Sequence, residues 1–138
     1  MAGLDDIRKY NADEDLINRI LSHKLDLIKS TIKDLSGLIE ERLQIRDKTL
    51  SDLENEILRA RNMILERNRP LTYVQDKTDP LIRNLEGEIF RLEKSKIDEK
   101  VKTWNDVLLL KRAIVDLQAS LRSAETKCRL FDENENQN

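Results

Sequence analysis

The apolar residues of this chain fall on two long helical stripes. In the first, Leu21, Leu25, Ile28, Ile32, Leu35 and Ile39 alternate steps of four and three, and Leu50, Leu53, Ile57, Ala60 and Ile64 resume the alternation. In the second, Ile82, Leu85, Ile89 and Leu92 step the same way, followed by Leu110, Ile114, Leu117, Leu121, Ala124, Cys128 and Phe131. This is the spacing that keeps one face of a helix against a partner helix. If the second helix runs back along the first, facing positions have residue numbers that sum to 145 or 146 throughout. A seven-residue repeat also accepts a register one heptad away, but the loop breaks that tie. The sum centres the turn on Tyr73, inside the segment 68–79 where the helical pattern lapses. Both stripes also lose their step at one height. Ile39 is followed by Leu43 and then Arg46, a stutter, while Val101, Trp104 and Val107 step by three and three, so that Trp104 is expected to face Leu43.

Local signals set the expected boundaries. Asn11 followed at three by Glu14 resembles a capping box, and Asp13 and Asp15 place negative charge where a helix N-terminus is positive. The first helix is therefore expected over residues 12–67, preceded by an arm, 1–11, in which Leu4, Ile7 and Tyr10 form one amphipathic turn. A loop over 68–79 follows. Asp79 before Pro80 is a helix start, an N-cap acceptor and then a residue whose missing N–H costs nothing at the first helical position. The second helix is expected over 80–131, and the apolar-free tail 132–138 is expected to be disordered. The fold class is all-α, a long antiparallel two-helix hairpin or coiled coil.

An isolated hairpin would keep its outer faces polar, and this one does not. The first helix carries Ile20, Leu27, Leu38 and Ile45 beside the seam, and the second carries Phe90, Ile97, Leu108 and Val115, both sets spaced 7, 11 and 7. In heptad terms the two rows lie on opposite sides of the hairpin, and further helices should cover them. Self-association into a helical bundle is the economical solution, with these eight residues as the oligomer interface. A helical protein partner is the alternative. Gly37 and Gly87 lie inside the helices, at a cost of ~1 kcal/mol each relative to Ala. They are expected either to admit another backbone or simply to be tolerated on an exposed face. Arg46 and Lys96 put cations into the seam, where snorkelling toward Glu99 or Asp47 would give register-fixing polar layers.

Composition agrees with this architecture. The chain has 138 residues, 38% of them charged and 4% aromatic, with three Gly and two Pro, which suits long helices better than a many-layered core. A net charge of −2 offers no global field for nucleic acid or an acidic membrane. The longest apolar run, Val107 to Leu110, is far short of the ~20 residues that span a bilayer, and residues 1–10 lack a secretion signal. These features predict a cytoplasmic protein. Cys128 is the single cysteine, which excludes an intramolecular disulfide. It is expected in the seam as a small hydrophobe facing Leu16 and Ile17.

Catalytic chemistry has little to work with. Acid–base or nucleophilic catalysis needs titratable groups converging in a water-excluding pocket. The one histidine, His23, stands beside the seam, with Ile20 where a di-iron bundle would have Glu. No phosphate-binding glycine loop occurs. Carboxylates such as Glu40 with Glu41, or Asp76 with Asp79, are expected as solvated faces, so no catalytic residue, metal or cofactor is assigned. The loop is the least explained segment. Leu71, Tyr73 and Val74 either fold back to plug the hairpin end or, with Arg67 and Arg69, present a contact tip. The expected function is a non-enzymatic scaffold or assembly protein acting through helical self-association. The alternatives are a binding regulator or chaperone-like module that uses the tip or the lateral rows and, less favoured, a nucleic-acid contact through the basic tip.

Overall fold

The computed structural model describes the backbone of residues 3–68 and 79–136 and the side chains of residues 13–68 and 79–130. It contains two helices, α1 (Gly3–Asn68) and α2 (Pro80–Asn136), packed against each other as an all-α hairpin. The helices divide into two compact units. Unit 1 comprises Met1–Leu38 and Leu109–Asn138, and unit 2 is Ile39–Leu108.

In unit 1 the seam of α1 runs through Leu21, Leu25, Ile28, Ile32 and Leu35, and that of α2 through Leu110, Ile114, Leu117, Leu121, Ala124 and Cys128. Ile28 and Ala124 are buried and the others half-buried. Toward the N-terminus the seam continues through the half-buried Asn18 and Glu14, whereas Leu16 and Ile17 are exposed. The heptad step therefore outweighs side-chain polarity here, and the seam ends in polar residues, with Cys128 half-buried on α2. Cysteines placed at Ile32 and Ile114 in a Cys128→Ser background test this register. An intrachain disulfide should form efficiently, because opposed seam positions bring their β-carbons within reach. Crosslinking only between chains would overturn the hairpin.

In unit 2 the α1 seam is Ile39, Leu43, Arg46, Leu50, Leu53, Ile57, Ala60 and Ile64. Facing it on α2 are Ile82, Leu85, Ile89, Leu92, Lys96, Glu99, Thr103 and Val107. Ile57 is fully buried, with Ala60 and Leu85 close to it in burial. The α2 stutter differs in part from the sequence expectation: Trp104 and Leu43 do line one groove, but the buried position is Thr103. Thr103 is 2% exposed, while Trp104 is 66% exposed and Val101 also lies outside. At ~100° per residue, two steps of three fall about 120° short of two full turns, whereas two steps of four overshoot by about 80°. The path Glu99, Thr103, Val107 therefore stays nearer the seam than Val101, Trp104, Val107. Thr103 is suited to burial because its hydroxyl donates to the Glu99 carbonyl at 2.8 Å, satisfying its proton within the helix.

Both helices are longer than their local signals indicate. α1 begins at Gly3, so residues 3–11, expected as a separate arm, are its first turns, and the Asn11 capping box lies inside it. α2 continues to Asn136, through most of the segment 132–138 expected to be disordered. Once a helix is nucleated and anchored, each added residue gains a backbone hydrogen bond without a new nucleation cost. At the other end of α2 the start signal operates as expected. The Leu81 amide donates to Asp79 Oδ1 at 3.0 Å and the Arg83 amide to the Asp79 carbonyl at 3.1 Å. A Cβ built at Gly37 or Gly87 meets nothing within 4 Å, so neither glycine is required by a close approach within the chain.

Candidate association surface

The outer faces are built from the residues left over once the seam is satisfied. On α2 of unit 2, Phe90 and Ile97 are exposed, Phe90 by 72%. Val101 and Trp104 join the same row, which ends at the half-buried Leu108. Sequence reasoning missed Val101 and Trp104 because it had assigned them to the seam. The signal was present all the same, since Phe90, Ile97 and Trp104 are spaced by heptads. On α1, Ile45 is exposed in unit 2, and Ile20, Leu27 and Leu38 are exposed in unit 1, where Val115 of α2 is exposed too. Of the eight residues expected in an interface, seven are exposed and Leu108 is half-buried.

Ion pairs fix the helix faces of unit 2. The Arg42 guanidinium donates to Asp106 Oδ2 at 2.9 Å and to Glu99 Oε1 at 2.8 Å, joining one cation to two carboxylates of α2. These bonds, first to Asp106 and then to Glu99, raise the Arg42 pKa above its ordinary value. Glu99 is thus engaged by Arg42, a residue the hydrophobic pattern gave no reason to single out. Arg46 pairs instead with Asp47, its neighbour on α1, at 2.9 Å. Lys96 donates to Glu54 at 2.7 Å, and Arg61 reaches Glu93 at 3.5 Å. The Lys96 bond lowers the Glu54 pKa, and the bond to Glu54 raises that of Lys96. Because the carboxylate is depressed, the tie is complete at neutral pH and is lost only as acid carries the pH through that lowered value.

At the end of α1, Arg67 donates to Asp79 Oδ2 at 2.7 Å. This bond, assisted by the Leu81 amide, lowers the Asp79 pKa. Arg67, expected at a contact tip, is therefore tied to the cap of α2. Arg69, Leu71, Tyr73 and Val74 lie outside the described residues, and with them the choice between plug and contact site.

Open grooves run between the helices. In unit 2, Leu43, Arg46, Lys100, Thr103, Trp104 and Val107 line one of about 250 Å³. In unit 1 a larger one, about 380 Å³, has Lys24, Lys127, Ser120 and Ser123 among its lining residues. Among the described residues, no three His, Cys, Asp or Glu side chains gather closely enough to hold a metal ion, and no helix is long and apolar enough to cross a membrane. No buried side-chain nitrogen or oxygen among them lacks a hydrogen-bond partner. No protein-family model matches the chain, nor does any curated protein or solved structure.

Proposed function

We propose that the chain is a non-enzymatic scaffold or assembly protein that works by associating with further copies of itself into a helical bundle. The observation that carries this reading is the outer row of α2 in unit 2, where Phe90, Ile97, Val101 and Trp104 all stand exposed. Single exposed apolar residues are ordinary on protein surfaces. A heptad-spaced row containing two large aromatics is an association surface waiting for another helix. Indole and phenyl rings are also the groups that supply most energy when a helical interface closes.

The test is molar mass by light scattering across a concentration series, read beside circular dichroism. The wild-type chain should be oligomeric at tens of micromolar. The pair Ile97→Glu with Trp104→Glu should shift it toward monomer while leaving its helix content largely unchanged, because both side chains are mostly exposed, Trp104 at the rim of the groove beside Leu43. Leu27→Glu with Leu38→Glu puts the same question to α1. A wild-type protein that stays monomeric would sink this reading and transfer the exposed rows to a different helical protein.

A further inference from the structure

Resting on that self-association reading, we infer that two copies dock α2 against α2 in opposite directions across a twofold axis through Ile97, with Phe90 of each copy packed on Trp104 of the other. The inference comes from the row's own symmetry. Phe90 and Trp104 each stand seven residues from Ile97, an aromatic on either side of a β-branched centre. All three are exposed on the same side of α2. A surface that meets itself across a twofold axis must match its own reversed copy, and this row does. Seven residues are close to two full turns, so the three side chains stay nearly in line over ~21 Å.

The flanking charges select the direction. Glu93 lies four residues before Ile97 and Lys100 three residues after it, on the same flank of the row. An antiparallel arrangement sets Glu93 of one copy opposite Lys100 of the other, twice by symmetry. A parallel twofold would carry the flank that holds Glu93 and Lys100 to opposite sides of the interface in the two copies, so that neither cross-copy pair could form. Glu93 retains side-chain exposure of 43% beside Arg61, and Lys100 is exposed, so both can reach across. Farther out, the same register brings Leu108 over Gly87 of the other copy, where open space surrounds the glycine.

The experiment uses the full chain with Cys128→Ser. Ile97→Cys should give a disulfide-linked dimer on mild oxidation, since the axis places the two sulfurs side by side. Glu93→Lys and Lys100→Glu should each associate about tenfold more weakly alone, while an equimolar mixture of the two recovers wild-type association to within about twofold. The mixture restores both cross-copy pairs, whereas the intrachain contacts of Glu93 with Arg61 and Lys96 stay broken in its Glu93→Lys copy. Recovery therefore isolates the contact between copies. A monomeric wild type overturns both self-association and this register. An oligomeric wild type in which Ile97→Cys fails to crosslink and the mixture is no stronger than its components overturns the register alone.

Discussion

Ile57→Ala should lower the free energy of unfolding by about 3 kcal/mol, the largest single loss expected from any truncation in the described seam. Ile57 has no solvent exposure at all and lies among the buried Ala60 and Leu85. Truncation removes the transfer free energy of three carbons and leaves a void that neighbours on two rigid helices fill only partly. Leu58, the next residue, is 47% exposed on the outer face, and Leu58→Ala should stay within about 1 kcal/mol. Urea titration followed by circular dichroism, at one fixed protein concentration so that association contributes equally, gives both numbers. Equal effects at the two positions would mean that seam burial is not what stabilises the hairpin.

The second large effect is expected at Arg42. Arg42→Met keeps much of the aliphatic stem but strips Glu99 and Asp106 of their shared cation, at a cost of about 2 kcal/mol. Most of that cost comes from Glu99, whose side chain is only 16% exposed and would keep the Thr103 hydroxyl at 3.3 Å but no cation beside the seam. Glu99→Gln in the Arg42→Met background should recover part of the loss, and a double-mutant cycle measures the coupling. Arg46→Met is the control, because its partner Asp47 is on the same helix and 68% exposed, so the change should stay within about 0.5 kcal/mol. A loss at Arg46 as large as that at Arg42 would show that the cross-helix geometry is not what matters.

Periodicity made the seam legible from the sequence: Ile28, Ile57, Ala60, Leu85 and Ala124, the buried apolar residues among the described ones, all fall on the expected stripes. At the α2 stutter, apolar character and helical position disagree. Val101 and Trp104 are the large apolar residues near the α2 stutter, so a pattern that counts apolar side chains takes them inward. The geometry selects Thr103, whose polarity is cancelled by its own helix. Arg42 was invisible for a related reason, since a cation beside the seam shows nothing until its two carboxylates on the other helix are located. The helix ends at Gly3 and Asn136 were missed because capping signals mark where a helix can start, while an anchored helix can extend past them. Of the candidate surface, the rows of exposed residues were readable. The heptad spacing of Phe90, Ile97 and Trp104 is readable there as well, although apolar character alone also suits Trp104 to the seam.

The cross-helix ion pairs of unit 2 form a graded series of chain separations: 12 residues for Arg67 with Asp79, 32 for Arg61 with Glu93, 42 for Lys96 with Glu54, and 57 and 64 for the two bonds of Arg42. Closing a loop costs entropy that rises only with the logarithm of its length, and once an inner pair has formed the next need close only the short remainder. This ladder gives the unit a folding route. Helix pairing should nucleate beside the turn and zip away from it, so the barrier is set by local closures rather than by the distant Arg42 bonds. Substitution of Arg61 should accordingly slow refolding, whereas loss of Arg42 should chiefly speed unfolding, a partition that chevron kinetics would resolve. The opposite partition would place nucleation at the stutter.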